Sequence, residues 1–300
     1  MKNLVVIGGA TASGKTGLSV ALAKQLQCPI LSADSRQFYK EVAIGTAKPS
    51  LEEQEGVPHY FIDSHSLENP VSSGAFEEEA IPLLDKLFEK HDNVILTGGS
   101  GLFIDAILYG IDDIPKDDQV KEHYINLEKE KGLANLLEEL EEKDPDYFQE
   151  VDKGNSHRVI RALEAIKCSG QKFSELRKNA KKVRNFNAYI FILDHPREVL
   201  YDRINQRVDI MVQDGLFEEV ERVAHLKHLQ SLNTVGYKEI FAYFNGESTK
   251  EECIELIKRN TRRYAKRQIT WFKRYKEATW IPYTNMEKMT AFIRNKLHLK

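Results

Sequence analysis

The residues best suited to chemistry stand near the amino terminus. Gly9, Ala10, Thr11, Ala12, Ser13, Gly14, Lys15 and Thr16 read as Gly, four residues, Gly-Lys-Thr. With that spacing a tight loop and a helix N-terminus surround phosphate oxygens with backbone N–H groups. Lys15 would reach the outer phosphate, and Thr16 would offer its hydroxyl to Mg²⁺. Asp34 is a second candidate: a carboxylate beside bound phosphate can accept the proton of an attacking group. Its plainer role is a turn or cap in Asp34-Ser35-Arg36. Arg203 and Arg207, four apart, share one helical face and could close on a diphosphate, because guanidinium groups match its oxygens with paired donors. Ion pairs to Asp202 or Asp209 would occupy the same side chains. The loop alone does not distinguish nucleotides, sugar phosphates and prenyl diphosphates, which present the same oxygens.

These groups need elements to hold them. The apolar run Leu4 to Ile7 predicts a strand leading into the loop, and Gly17 to Gln27 has helical spacing until Cys28-Pro29 breaks it. Ile30 to Ala33 is a second short strand. A βαβ unit makes the two strands parallel, and open parallel sheets bind ligands at the carboxyl ends of their strands. Asp34 therefore emerges on the edge that carries the phosphate loop. A loop from Val42 to Pro58 follows, then an extended His59 to Asp63, a helix Ser73 to Lys90 and a strand Asn93 to Thr97. The turn Gly98-Gly99-Ser100-Gly101 lacks the acid that many phosphate-loop enzymes place there to hold Mg²⁺ through water. Its glycines either admit a bulky group close to the backbone or make a plain strand-to-helix turn.

Composition changes at Pro115. From Lys116 to Lys182 no strand-like run occurs, only charged helical segments, and strand character returns at Ala188 to Leu193 and at Thr279 to Tyr283. The predicted fold is α/β, a P-loop NTPase-like parallel sheet core with an inserted all-helical domain. The core comprises residues 1–115 and 183–300 with a helical C-terminal part, and the insert residues 116–182. Inside the insert, His157-Arg158-Val159-Ile160-Arg161 puts Arg158 and Arg161 on one helical face with Val159 and Ile160 turned partly inward. Such a face is either solvated or basic toward a ligand. Later, the stretch Lys258 to Lys276 has many Lys and Arg, no acid, and interleaved Tyr264, Trp271, Phe272 and Tyr275. Bases with aromatics suit the gripping of RNA loops, although Ile269 and Phe272 are the members expected in the core.

The 300 residues carry a net charge of −3, which argues against indiscriminate nucleic-acid binding. Cys28, Cys168 and Cys253 lie far apart in no Cys-x-x-Cys spacing, so neither a disulfide framework nor a zinc ribbon is expected. His225 and His228 lack a third ligand for a metal. A cytoplasmic protein is expected, with no leader, no membrane span and no association with a membrane.

Several blocks together resemble the tRNA dimethylallyltransferase (tRNA isopentenyltransferase) family, bacterial type. They are Gly9 to Thr16, Asp34-Ser35-Arg36-Gln37, Ile44 to Pro49, Gly98-Gly99-Ser100-Gly101-Leu102, His157 to Arg161, Gly236-Tyr237-Lys238-Glu239 and Arg267 to Phe272, in family order along nearly the whole chain. The resemblance implies transfer of a dimethylallyl group from dimethylallyl diphosphate to the N6 amine of the adenosine next to the anticodon, in tRNAs reading codons that begin with U. It implies a loop Gly9 to Thr16 that holds the diphosphate, Thr16 assisting Mg²⁺, and Asp34 as base, with Lys15 and Arg207 stabilising the leaving group. Asp34, Ser35, Arg36 and Gln37 would grip the adenosine. Ser100, Lys121 and His157, Arg158, Val159, Ile160 and Arg161 would touch the anticodon stem-loop of the tRNA. Ala10, Ser100, Phe103 and Tyr60 replace the family's usual Pro, Thr, Tyr and His; none of these removes a charged or catalytic group. A monomer without a eukaryotic-type zinc finger is expected. Three readings share parts of this pattern: a P-loop kinase of a small metabolite or nucleoside, a prenyltransferase of free adenine nucleotides, and a nucleotide-driven RNA-binding switch. The last leaves Asp34 without a purpose.

Overall fold

Continuous apolar runs become buried parallel strands, since a sheet covered on both faces has no polar side to alternate with. In a computed structural model describing residues 2–178 and 181–297, Leu4, Val5, Val6 and Ile7 are fully buried in β1 (Asn3–Gly9). Then come α1 (Lys15–Leu26), β2 (Ile30–Ser32), α2 (Leu51–Gln54), β3 (His59–Tyr60), α3 (Ser73–Lys90), β4 (Asn93–Gly98) and α4 (Gly101–Tyr109). The helices α5 (Asp118–Lys131), α6 (Leu133–Lys143), α7 (Pro145–Glu150), α8 (Ser156–Ser169) and α9 (Phe173–Leu176) follow. The chain returns through β5 (Asn187–Asp194), α10 (Arg197–Gln213), α11 (Leu216–Arg222), α12 (Tyr237–Phe244), α13 (Lys250–Phe272), β6 (Thr279–Pro282) and α14 (Met286–Lys296).

The six strands form one parallel sheet in the order β3-β2-β4-β1-β5-β6. β1 sits inside it, paired with β4 from Asn3 against Asn93 and with β5 from Asn3 against Asn187. The carboxyl ends of β2, β4, β1 and β5 therefore open on one edge. The expected extended run His59 to Asp63 is shorter than its sequence suggests. Only His59 and Tyr60 pair with β2, and Phe61 (φ 62°) and Asp63 (φ 52°) turn the chain out of the strand. Phe61 leaves the edge to join Phe38, Phe76 and Phe103, meeting the Phe76 ring edge-on at 4.9 Å. Burying each such ring stabilises by about 1.5–3 kcal/mol, which outweighs the lost ladder bonds.

The chain separates into two compact units, one running to Leu108 and resuming at Arg184, the other Tyr109–Val183. The second is all-helical and closes its own core around Leu136, Leu140, Val159, Leu163 and Phe173. Buried Asp144 ties it together, accepting from the Tyr147 N–H at 3.1 Å, the Ser174 N–H at 2.8 Å and the Ser174 hydroxyl at 2.8 Å. Among the described residues, no helix is long and apolar enough to cross a membrane.

Candidate active site

β1 ends at Gly9 and α1 starts at Lys15, so the Gly9 to Thr16 loop is the connection across the carboxyl edge of the sheet. Gly14 has φ 91°, and a Cβ there would lie 2.9 Å from the Tyr283 ring, so both backbone and space demand glycine. No side chain caps α1 at Gly14. The N–H groups of its first turn are left for an outside acceptor, the usual condition of an anion-binding helix end. Among the described residues the Ser13 hydroxyl is also buried without a partner.

Side chains hold the loop by its carbonyls. Lys15 Nζ donates to Ala10 O at 2.7 Å, Arg203 Nε to Ala12 O at 2.8 Å, and His195 Nε2 lies 2.7 Å from Ser13 O. His195 stacks on Tyr283 with centroids 4.4 Å apart, and Arg203 lies over the same ring at 5.1 Å. Arg207 Nη1 donates to the Thr11 hydroxyl at 3.4 Å. The Asp202 and Asp209 pairings that sequence allows for these arginines are not made; Asp209 pairs instead with Lys258 at 2.8 Å. Burial and the nearby Arg207 cation lower the Lys15 pKa to about 8, with Asp34 opposing the fall. Burial, then the Arg203 charge, also lowers Arg207, while Glu53 and Asp34 oppose it. Three cations crowded against one loop mark a place for an anion.

Asp34 follows β2 on this edge. It makes the turn that sequence allows, taking the Arg36 N–H on Oδ1 at 3.1 Å and the Gln37 N–H on its carbonyl at 3.2 Å. Burial nevertheless raises the pKa of its carboxyl, against the Arg36 N–H and the charges of Lys15 and Arg36. A carboxylate raised in this way is a better proton acceptor than an ordinary one. Ser35 N–H donates to Ser100 Oγ at 3.0 Å, and Ser100 Oγ in turn to Ser35 Oγ at 3.1 Å. Tyr264 faces the same spot: burial and the charge of Asp34 push its hydroxyl up to about 12, and it bonds with Ser100. Gln37 is fully committed. It accepts from Ser32 Oγ at 3.1 Å and donates to Thr46 O at 3.3 Å and Ala47 O at 3.1 Å. Its amide therefore braces the 42–49 loop. Glu219 braces that loop too, accepting the N–H groups of Ala43, Ile44 and Gly45 at 2.7, 2.8 and 2.9 Å and the Tyr237 hydroxyl at 2.6 Å.

The bulky group that Gly98 to Gly101 admit belongs to the chain itself. A Cβ on Gly99 would stand 2.2 Å from Gln268 Nε2, and one on Gly101 would stand 2.1 Å from the Trp271 ring. α13 thus packs on the turn with its inner face, where Ala265, Gln268 and Phe272 are buried. Ile269 is only half-buried. The outer face carries Arg263, Lys266, Arg267, Thr270 and Trp271, which with Arg274 just past the helix end line an open groove of about 520 Å³.

In the helical unit, His157 and Arg158 are exposed, and Lys121 is half-buried on α5. Val159 and Ile160 are 0% and 4% exposed, so their side chains belong to that unit's core, whereas the tRNA contact expected of them would need an exposed group. Arg161 is held in place: it donates to Ile114 O and Pro115 O, each at 2.7 Å, and pairs with Glu164 at 3.0 Å. Sequence reasoning missed His195, Tyr283, Gln268 and Glu219. His195 had a readable signal, its place directly after β5, the position relative to its strand that singled out Asp34 after β2, and Gln268 lay inside the block Arg267 to Phe272.

A parallel sheet with a phosphate loop, an uncapped helix start and a poised carboxylate on one edge defines a P-loop α/β protein built for phosphate-bearing ligands. The IPP transferase (IPPT) family model matches residues 37–275. The chain belongs to that family. It is 45% identical to the tRNA dimethylallyltransferase of Cytophaga hutchinsonii over 99% of this chain and 98% of the relative. To tRNA dimethylallyltransferase 1 of Bacteroides thetaiotaomicron it is 44% identical over 100% and 98%. Among solved structures it resembles the tRNA isopentenylpyrophosphate transferase of Bacillus halodurans, with TM-score 0.73, 37% identity and coverage of 99% and 96%. A eukaryotic dimethylallyltransferase acting on tRNA shares the fold, with TM-score 0.82 at 24% identity and coverage of 99% of this chain and 78% of that one.

Proposed function

We propose that this enzyme transfers a dimethylallyl group from dimethylallyl diphosphate to the N6 amine of the adenosine beside the anticodon, in tRNAs reading codons that begin with U. The observation that carries this reading is one sheet edge holding a proton acceptor, Asp34, whose pKa is raised by burial, beside a cationic phosphate loop. Adenine's exocyclic amine is a poor nucleophile, because its lone pair is delocalised into the ring. Asp34 takes its proton as the new C–N bond forms. The allylic C–O bond breaks, and its electron pair leaves with diphosphate. The loop amides, Lys15 and Arg207 receive that growing charge, which is stabilisation aimed at the transition state.

Mg²⁺ fits the donors present. Among the described residues no group of three or more His, Cys, Asp or Glu could hold a metal. The site therefore suits an ion that keeps its waters and takes phosphate oxygens with one protein hydroxyl, that of Thr16. Mg²⁺ would neutralise charge on the diphosphate.

The adenosine must leave its stack to reach Asp34, at a cost of a few kcal/mol that is smallest in an unpaired loop. Ser35, Arg36 and Ser100 would meet the base, with Gln37 shaping the wall behind it. The α13 groove and, on the helical unit, Lys121, His157 and Arg158 would take backbone phosphates. The chain would act as a cytoplasmic monomer. The test is to incubate the protein with labelled dimethylallyl diphosphate and either an anticodon stem-loop or AMP, and to follow ATP in parallel. Label in the stem-loop is expected. Label in AMP alone, or phosphoryl transfer from ATP with an unlabelled stem-loop, overturns the proposal.

A further inference from the structure

Gln268 is 6% exposed, and both ends of its side-chain amide are committed. Oε1 accepts the Thr11 N–H at 2.8 Å, and Nε2 donates to Gly99 O at 2.9 Å. The orientation is forced, since the flipped amide would set N–H against N–H and oxygen against oxygen. A buried glutamine is costly unless both ends are satisfied, as they are here. Thr11 is thereby gripped twice, by Gln268 on its N–H and by Arg207 on its hydroxyl at 3.4 Å. The anchor lies 257 residues away along the chain, on the inner face of the helix whose outer face carries the basic groove.

Granted the diphosphate site proposed above, we infer that Gln268 is a positioning residue for it. Through Thr11 it sets the phosphate loop and the Arg207 guanidinium in the arrangement that receives diphosphate, so the C-terminal helix completes the anion cradle. Loss of either bond lets the Thr11 peptide turn and takes the Arg207 partner with it.

Q268E separates this role from plain packing. As a carboxylate its side chain still accepts from Thr11, but its second oxygen faces the Gly99 carbonyl and repels it. Protonated, it donates there again, and burial raises the pKa at which that happens. Q268M keeps the volume without hydrogen bonds or titration. Calorimetry on the full chain would measure binding of inorganic pyrophosphate with Mg²⁺ at about pH 8 and about pH 6, each variant compared with wild type at the same pH. Q268E should bind about tenfold more weakly at the higher pH and within about threefold at the lower, while Q268M stays about tenfold weak at both. Thermal midpoints on the same samples fix the folded fraction. A Q268E deficit that does not change with pH, a Q268M affinity equal to wild type, or losses that only track the folded fraction would each overturn the inference. Wild-type protein that binds pyrophosphate yet prenylates no stem-loop would defeat the proposed reaction while leaving this result decided. Wild-type protein that binds no pyrophosphate would defeat both.

Discussion

Arg203 and Arg207 on α10, and Arg158 and Arg161 on α8, look alike in sequence: basic residues one helical turn apart on an amphipathic segment. Their surroundings differ. Arg203 and Arg207 reach a loop carbonyl and a loop hydroxyl, at 2.8 and 3.4 Å, with no carboxylate pairing either among the described residues. Arg161 is spent on two carbonyls and on the buried carboxylate of Glu164, while Arg158 beside it stays exposed. A cation at a binding site is recognised by the lack of an internal counter-charge, and one that staples structure by its abundance of acceptors. Spacing cannot tell the two apart. Burial is also what first moves the pKa values on the phosphate-loop edge, lowering Lys15 and Arg207 and raising Asp34, with the neighbouring charges acting second.

The largest break in the comparison should come from the acid on the same sheet edge, whose charge acts on Arg207. Asp34→Ala is expected to lower turnover about 10²-fold or more while leaving stem-loop affinity nearly intact. Near-normal single-turnover rates would remove Asp34 from its role. Arg207→Ala should lower turnover by about 10²–10³-fold, the usual size for one donor to a developing anion, and Arg207→Lys should recover only part. If Arg207→Ala matches Arg158→Ala in the same assay, the two arginine pairs do not differ as argued.

The pH profile sharpens the contrast without mutation. Asp34 must be ionised and its pKa is raised, so kcat/KM for the diphosphate falls as pH drops through a value above the ordinary carboxylate range. Lys15 must be charged and its pKa is lowered to about 8, so activity present below that value is lost above it. Each limb should approach about tenfold per pH unit. An alkaline limb near the ordinary lysine value would show that Lys15 is not held as described.

Smaller effects belong to the helical unit. Arg161→Ala removes the ion pair of Glu164, whose side chain is 4% exposed and keeps the Asp117 N–H at 2.9 Å, and frees two carbonyls. It should cost about 1–3 kcal/mol in denaturant unfolding. Unchanged stability would make Arg161 a free cation after all. Arg158→Ala should leave stability within about 0.5 kcal/mol. It should also weaken stem-loop binding modestly and reduce the salt slope by about one, as loss of a single phosphate contact does.

Sequence made the site's skeleton legible because its parts are local. The phosphate loop, its flanking strand and helix, and Asp34 at the end of β2 follow from patterns spanning a few residues, and βαβ handedness puts them on one edge. Strand-like runs also stop within the stretch that forms the helical unit Tyr109–Val183. What stayed hidden depended on partners far along the chain. The Gly98 to Gly101 turn is open for Trp271 and Gln268, and Val159 and Ile160 are buried although they neighbour exposed Arg158. Gln37 was hidden for a nearer reason: its amide is taken by the carbonyls of Thr46 and Ala47, in a loop whose path the sequence does not fix.

The amino-acid sequence by itself therefore determined which groups are present: a loop with phosphate-binding spacing, a carboxylate on the same sheet edge, and a basic helix. Only the tertiary structure decided which cations remain for a ligand and which carbonyls hold the cradle open. The physical reason is that a polar side chain does whatever its burial and nearest partners dictate. For His195, Arg203, Gln268 and Tyr283 those partners meet only when the sheet closes and α13 packs on β4's turn.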